Sequence, residues 1–97
     1  MKYQDFIESV EQGDASEVKD DCLRALWYDA NDDWQTAHQI VQSMHGVMAA
    51  RIHAYLHRKE ADDWNSRYWH GIAGSTFPTH LSLQEEWELL AREMTLD

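Results

Sequence analysis

The phrase Asp32-Asp33-Trp34 recurs thirty residues later as Asp62-Asp63-Trp64. An aromatic-rich amphipathic stretch precedes each copy, first Ala25-Leu26-Trp27-Tyr28 and then Ala54-Tyr55-Leu56-His57. A repeat of about this length is typical of stacked helical hairpins, because one hairpin is too small to bury its own apolar face. We interpret each copy as a turn, a helix cap and a core anchor, so Trp34 and Trp64 are predicted to lie in the core.

The periodicity of apolar residues extends this pattern to six helices. The first carries Tyr3, Phe6, Ile7 and Val10 at helical spacing and is expected to end at Gly13. The capping-box pattern of Asp14 and Glu17 predicts a second helix from there to about residue 30. The later helices are predicted at about 33–44, 47–60 and 63–73, with a last one after the Ser82–Glu85 capping box.

These features predict an all-α single domain over residues 1–97, with two helical hairpins flanked by an N-terminal and a C-terminal helix. No apolar run approaches the roughly 18 residues of a membrane span. The N-terminal residues lack the apolar core of a signal peptide. The single Cys22 cannot form an internal disulfide, so we expect a cytoplasmic protein.

The chain is acidic, with 18 Asp and Glu against 8 Lys and Arg, a formal charge of −10. Nucleic acids and anionic membranes are bound through basic patches, so neither is expected as a partner. The charge fits good solubility or a basic protein partner.

A histidine pair stands out on the fourth helix. His53 and His57 are four residues apart and Glu60 follows three residues later, a spacing that places all three on one helix face. Two histidines and a carboxylate can bind zinc or a similar ion, and His38 on the preceding helix could supply another ligand. The alternative is that these histidines border the helix packing or pair with acidic neighbours. No cofactor is therefore expected from the sequence.

Aromatic side chains indicate a second kind of site, a groove for a peptide or an apolar ligand. Tyr and Trp dominate binding hot spots, although aromatic stripes at helical spacing are more often core. The candidate groove residues are Tyr28, His38, His53, His57, Tyr68 and Trp69. Arg51, Arg58 and Arg67 are expected to form surface ion pairs of little energetic value. His70 carries no functional signal in the sequence.

Two resemblances accompany these patterns. Asp32-Asp33-Trp34-Gln35-Thr36-Ala37 resembles the turn and second-helix start of a tetratricopeptide-type hairpin, although the period is shorter than that family's. The chain is also similar to a group of small uncharacterised bacterial proteins. The residues that carry this likeness are Leu26-Trp27, Asp33-Trp34, Ala37-His38, His53-Ala54-Tyr55-Leu56-His57-Arg58-Lys59-Glu60, Tyr68-Trp69, Ala73-Gly74 and Leu83-Gln84-Glu85-Glu86-Trp87. It departs from that group at Ala61, where glycine is usual, and at His70, where an aromatic residue is usual. The likeness implies a helical fold and no particular activity.

The sequence therefore predicts a non-enzymatic protein-interaction or adaptor module of the bacterial cytoplasm, with an unknown protein or peptide as partner and self-association as a homodimer. Binding would bury an apolar side chain of the partner against Tyr or Trp, while Arg or His fixes a carboxylate. The alternative is a metal- or small-ligand-binding protein that uses His38, His53 and His57.

Overall fold

A computed structural model describes residues 1–96 and confirms the all-α class with six helices. The helices are α1 (Tyr3–Gln12), α2 (Asp21–Ala30), α3 (Trp34–Gln42), α4 (Val47–Lys59), α5 (Asp63–Ala73) and α6 (Leu83–Glu93). Residues 1–96 contain no strand, and an isolated bridge between Lys2 and Leu96 brings the two ends together. None of the helices described is both long and apolar enough to cross a bilayer.

The two hairpins, α2–α3 and α4–α5, repeat with an offset of 29 residues. Asp33 caps α3 and Asp62 caps α5, since each carboxylate accepts a hydrogen bond from the backbone N–H three residues on, at 3.1 and 3.2 Å. The residue before each cap, Asp32 and Ala61, has a left-handed φ of 63°. The structural repeat of 29 residues is therefore one residue shorter than the thirty-residue spacing of the two Asp-Asp-Trp segments in the sequence.

This one-residue difference moves the second tryptophan out of the core. Trp34 is the first residue of α3 and packs, half-buried, against the core cluster. Trp64 is the second residue of α5. Its side chain therefore points about 100° around the helix axis from the direction that Trp34 takes on α3, and the residue is 75% exposed. The prediction that Trp64 anchors the core is wrong. The small residues Ala37 and Ser66, 29 apart, are both completely buried, as are Ala25 and Ala54 at the same offset.

The second helix begins later than predicted. Its N-cap is Asp20, whose carboxylate accepts from the N–H of Leu23 at 2.9 Å. Asp14 instead accepts from the N–H of Ser16 at 3.0 Å, which closes a local turn. Such short side-chain-to-backbone bonds compete with helix formation. The predicted Asp14 cap is therefore wrong, whereas the Ser82–Glu85 capping box on α6 is confirmed.

Helix α4 is the centre of the fold, in contact with α2, α3, α5 and α6. Its inner face adds Ile52 and Leu56 to a core to which α1, α2, α3 and α6 also contribute. The buried carboxylate of Asp29 on α2 accepts from the Tyr55 hydroxyl at 2.8 Å and from Lys59 Nζ at 2.9 Å. These bonds join α2 to α4, and they leave the other sides of α4 to α3 and α5.

Candidate functional site

Three histidines meet where α3 and α4 pack together. His38 lies on α3, while His53 and His57 lie one turn apart on α4. One ring nitrogen from each histidine can be chosen so that all three lie within 4.8 Å of one another. His53 is only 4% exposed, and the other two are half-buried. The cluster is thus partly enclosed but can be reached from solvent.

Two tryptophans hold the rings in place. Trp34 stacks on His38, with centroids 4.8 Å apart and planes 7° apart. Its indole Nε1 also donates a hydrogen bond to the carbonyl of Leu56 on α4 at 2.9 Å, which fixes α3 against α4. On the other side Trp69 of α5 stacks on His53, with centroids 4.0 Å apart. The histidine pair is therefore enclosed between two indoles from different helices.

The spacing of the nitrogen atoms suits a metal ion. The Nε2 atoms of His38 and His53 lie 3.1 Å apart. A tetrahedral zinc site with zinc–nitrogen bonds of about 2.05 Å separates neighbouring nitrogens by about 3.3 Å. A nitrogen of His57 lies within 4.8 Å of a nitrogen of each of the other two rings. Three imidazoles are a ligand set typical of zinc, copper, cobalt or nickel.

The environment keeps His38 and His53 uncharged near neutral pH. Burial, with the neighbouring His38 and His57 rings, lowers the pKa of His53 to about 4. Burial and the nearby His57 ring also lower the pKa of His38. Neutral imidazole is the form that binds metals, so these two rings are ready as ligands. The ligand atom of His53 would be Nε2, which faces His38, while its buried Nδ1 has no hydrogen-bond partner within residues 1–96.

Glu60 lies behind His57. Its Oε1 is 2.6 Å from His57 Nδ1, which favours a hydrogen on Nδ1 and leaves Nε2 as the free lone pair. This arrangement matches the carboxylate–histidine–metal pattern of zinc sites. Asp62 is also near, since one oxygen from each of Glu60 and Asp62 can lie within 4.8 Å of a His57 nitrogen. The Asp62 carboxylate is already bonded to Asn65 in its capping role.

The remaining predicted groove residues lie elsewhere. The ring of Tyr68 contacts Trp69 edge-on, with centroids 5.5 Å apart, but the residue is 53% exposed. Tyr28 on α2 contacts Trp27, and Arg24 lies over its ring. The structure thus brings His38, His53, His57 and Trp69 together, with Tyr68 at the border.

Sequence reasoning missed a second polar cluster. The buried Glu86 on α6 pairs with Arg58 on α4 at 2.9 Å, and Arg58 also donates to the carbonyl of Leu81. The surface ion pair expected for Arg58 is therefore wrong. His70, 5% exposed, lies 3.8 Å from Glu86, and its Nδ1 is 2.7 Å from the Ser75 hydroxyl. The sequence offers no signal for this cluster, because its members are far apart in the chain.

Comparisons with protein-family models, with curated proteins and with solved structures found no significant match. The resemblances to tetratricopeptide hairpins and to the bacterial group therefore stay predictions.

Proposed function

We propose that this protein binds a divalent transition-metal ion of the zinc class through His38, His53 and His57. The observation that carries the proposal is the meeting of three imidazole nitrogens from two helices within 4.8 Å. Their proximity supports this alternative over a groove without a metal ion, since a groove does not require three imidazole nitrogens to lie close together. Glu60 orients His57 from behind, and the two indoles restrain the other rings.

Three protein ligands leave one position of a tetrahedral ion open. In zinc proteins such a position takes water or an exogenous ligand, whereas structural zinc sites use four protein ligands. The proposed ion would therefore be bound reversibly and reached from the side of the half-buried His38 and His57. The role that follows is metal binding with an exchangeable ligand, and no reaction is assigned to it.

Calorimetric titration of chelator-treated protein with Zn²⁺ tests the proposal. We expect one ion per chain, together with a change in tryptophan fluorescence, because Trp34 and Trp69 stack on ligand rings. Co²⁺ should give the visible absorption of a tetrahedral complex. Replacing any one of the three ligands by Gln should raise the Kd for Zn²⁺ by at least roughly tenfold. This increase corresponds to about 1.4 kcal/mol of lost binding free energy.

The exposed histidines His45 and His80 provide matched controls. His45→Gln and His80→Gln should bind Zn²⁺ as the parent protein does. If no ion binds, or if the controls lose as much affinity as His53→Gln, the proposal is wrong.

A second observation supports an interaction module, the first expectation from the sequence. The outward residues of α3 and of its C-cap are polar, namely Gln35, Gln39 and the C-cap Ser43. The equivalent positions of α5, 29 residues later, are Trp64, Tyr68 and Ile72. The polar residues of the first hairpin indicate that packing does not require apolar side chains at these positions, and exposed apolar patches mark contact surfaces. We call Trp64, Tyr68 and Ile72 the outer face of α5.

The difference between α3 and α5 suggests a substitution for a pull-down experiment. Trp64→Gln introduces the residue found at the equivalent position of α3 and should reduce the amount of partner protein that the chain captures. Val47→Gln, which removes another exposed apolar side chain, should not. Equal capture by the parent chain, Trp64→Gln and Val47→Gln would contradict an interaction site on the outer face of α5.

A further inference from the structure

A small cavity lies among α4, the C-terminal end of α5, the loop that follows α5, and α6. Its volume is about 140 Å³, which is room for roughly four or five water-sized groups at about 30 Å³ each. It opens to solvent, because some of its lining residues are exposed, namely Thr76, His80 and Leu89. The polar side chains deeper in its wall are those of Arg51, His70, Ser75 and Glu86. None of these residues belongs to the three-histidine cluster.

The wall of this cavity holds a hydrogen-bond donor beside an acceptor. His70 Nε2 and Glu86 Oε2 are 3.8 Å apart, which is too far for a hydrogen bond. Nε2 is buried and has no partner within residues 1–96. The nearby carboxylate favours a hydrogen on Nε2, and the Ser75 hydroxyl, 2.7 Å from Nδ1, then donates to that nitrogen. The pair therefore presents an N–H group next to a carboxylate oxygen.

A hydroxyl group suits this pair, because it can accept from the N–H of His70 and donate to the Glu86 carboxylate at the same time. An ammonium group has no lone pair for the N–H, and a carboxylate would be repelled by Glu86. Buried polar groups are nearly always hydrogen-bonded, and a hydroxyl supplies the bond that Nε2 lacks. Water can also make both bonds, so selectivity for a ligand requires a second group in the cavity.

Arg51 supplies this second group. Its Nη2 donates to the carboxylate of Glu93 at 2.7 Å, and the Glu93 side chain is 43% exposed. A guanidinium carries five N–H donors in a planar fork, so Arg51 can hold a ligand carboxylate as well.

The charges around the cavity also favour an anion. Three arginines lie close to His70 and, after burial, lower the pKa of its ring, namely Arg51, Arg58 and Arg67. Within residues 1–96 two of these arginines form ion pairs, with Glu93 and Glu86. Positive charges therefore outnumber negative ones here, although the whole chain carries −10. A local excess of positive charge attracts small anions.

We propose that this cavity is a second binding site, which takes a small 2-hydroxy acid. The ligand carboxylate lies on Arg51, and its hydroxyl lies between His70 and Glu86. The volume admits an acid of the size of glycolate or lactate, and Pro78 and Leu81 line the cavity where a short carbon chain would need apolar contact. A phosphate dianion suits the cavity less well, because Glu86 would repel its second charge. This site is independent of the proposed metal site.

Titration of the metal-free full chain, followed by proton–nitrogen NMR, tests the proposal. Metal is removed first because oxygen ligands such as hydroxy acids also bind metal ions. We expect lactate to shift the backbone amide signals of Ser75 and Thr76 saturably. Propionate lacks the hydroxyl of lactate, and propylene glycol keeps the hydroxyl but has no carboxylate. Each should bind at least roughly tenfold more weakly, because each loses a hydrogen bond to a charged group. Inorganic phosphate should also bind more weakly than lactate.

Arg51→Met should weaken lactate binding at least roughly tenfold by removing the partner of the carboxylate. Arg24→Met, which removes the arginine that pairs with Asp21 on α2, is the control and should bind lactate as the parent chain does. No saturable shift with lactate, equal affinity for lactate and propionate, or an equal loss in the two variants would each overturn the proposal. Zn²⁺ binding is measured separately, so none of these outcomes bears on the three-histidine site.

Discussion

The Nε2 atoms of His38 and His53 face each other across 3.1 Å, although the two residues lie on different helices. In the metal-free protein a single hydrogen can occupy the space between them, so one ring donates and the other accepts. A metal ion would use both Nε2 lone pairs once that hydrogen has moved to Nδ1 of its own ring. The site therefore depends on the packing of α3 against α4 as much as on the residues themselves.

Glu60→Gln should weaken metal binding without removing a ligand. The Glu60 carboxylate lies 2.6 Å from His57 Nδ1 and orients the ring. Loss of such an outer partner typically costs about 10- to 100-fold in affinity, and we expect a loss in this range in a Zn²⁺ titration. Glu17→Gln, on the exposed loop before α2, serves as the control. Unchanged affinity in Glu60→Gln would refute the orienting role.

Arg58→Met should destabilise the fold strongly. Its guanidinium pairs with the buried Glu86 at 2.9 Å, and an uncompensated buried charge costs about 3–5 kcal/mol. The double variant Arg58→Met with Glu86→Leu should recover most of this loss in urea unfolding. Arg51→Met removes the more exposed pair with Glu93 and should cost less than about 1 kcal/mol. Equal losses in the two single variants would contradict this ranking.

Ala61→Gly should stabilise the protein. Ala61 has a φ of 63°, and a left-handed conformation costs a residue with a Cβ roughly 1–2 kcal/mol, a cost that glycine avoids. Part of the gain is offset by the greater freedom of glycine in the unfolded chain, so we expect about 1 kcal/mol in thermal or urea unfolding. Ala50→Gly, within right-handed α4, should instead destabilise by at least about 1 kcal/mol. A loss of stability in Ala61→Gly would contradict the strain at this turn.

The stability of the metal-free protein should fall in mild acid, in part because of His70. Burial and the surrounding arginines lower the pKa of His70 below 6.5. The unfolded chain therefore binds more protons than the folded chain between the lowered pKa and 6.5. The contribution of His70 is fully present above 6.5 and is lost as the pH falls toward the lowered value.

His70→Gln should flatten part of this decline when the free energy of unfolding is measured against pH in the presence of chelator. The exposed His80 is the control, and His80→Gln should leave the slope unchanged. An undiminished slope in His70→Gln would show that the nearby Glu86 carboxylate, 3.8 Å from the ring, holds the proton as well as water does.

Much of the fold could be read from local pattern. The bounds of α5 match the prediction, and the α6 capping box is present as expected, because caps and helix ends depend on residues three or four apart. The prediction for Asp14 was wrong because its carboxylate accepts a hydrogen bond from the N–H of Ser16, two residues on, and does not cap a helix. The prediction for Trp64 was wrong because two identical sequence segments need not occupy equivalent positions in their helices. A shift by one residue moves a side chain to another face.

The sequence by itself determined the all-α class, the bounds of α5, the capping box of α6 and the one-face spacing of His53 and His57, since each depends on near neighbours. Only the tertiary structure decided that His38 faces His53 and that Glu86 is buried beside Arg58. It also decided that α5 carries its aromatic residues outward. These relationships depend on how helices rotate and pack against one another, and that rotation follows from the whole core.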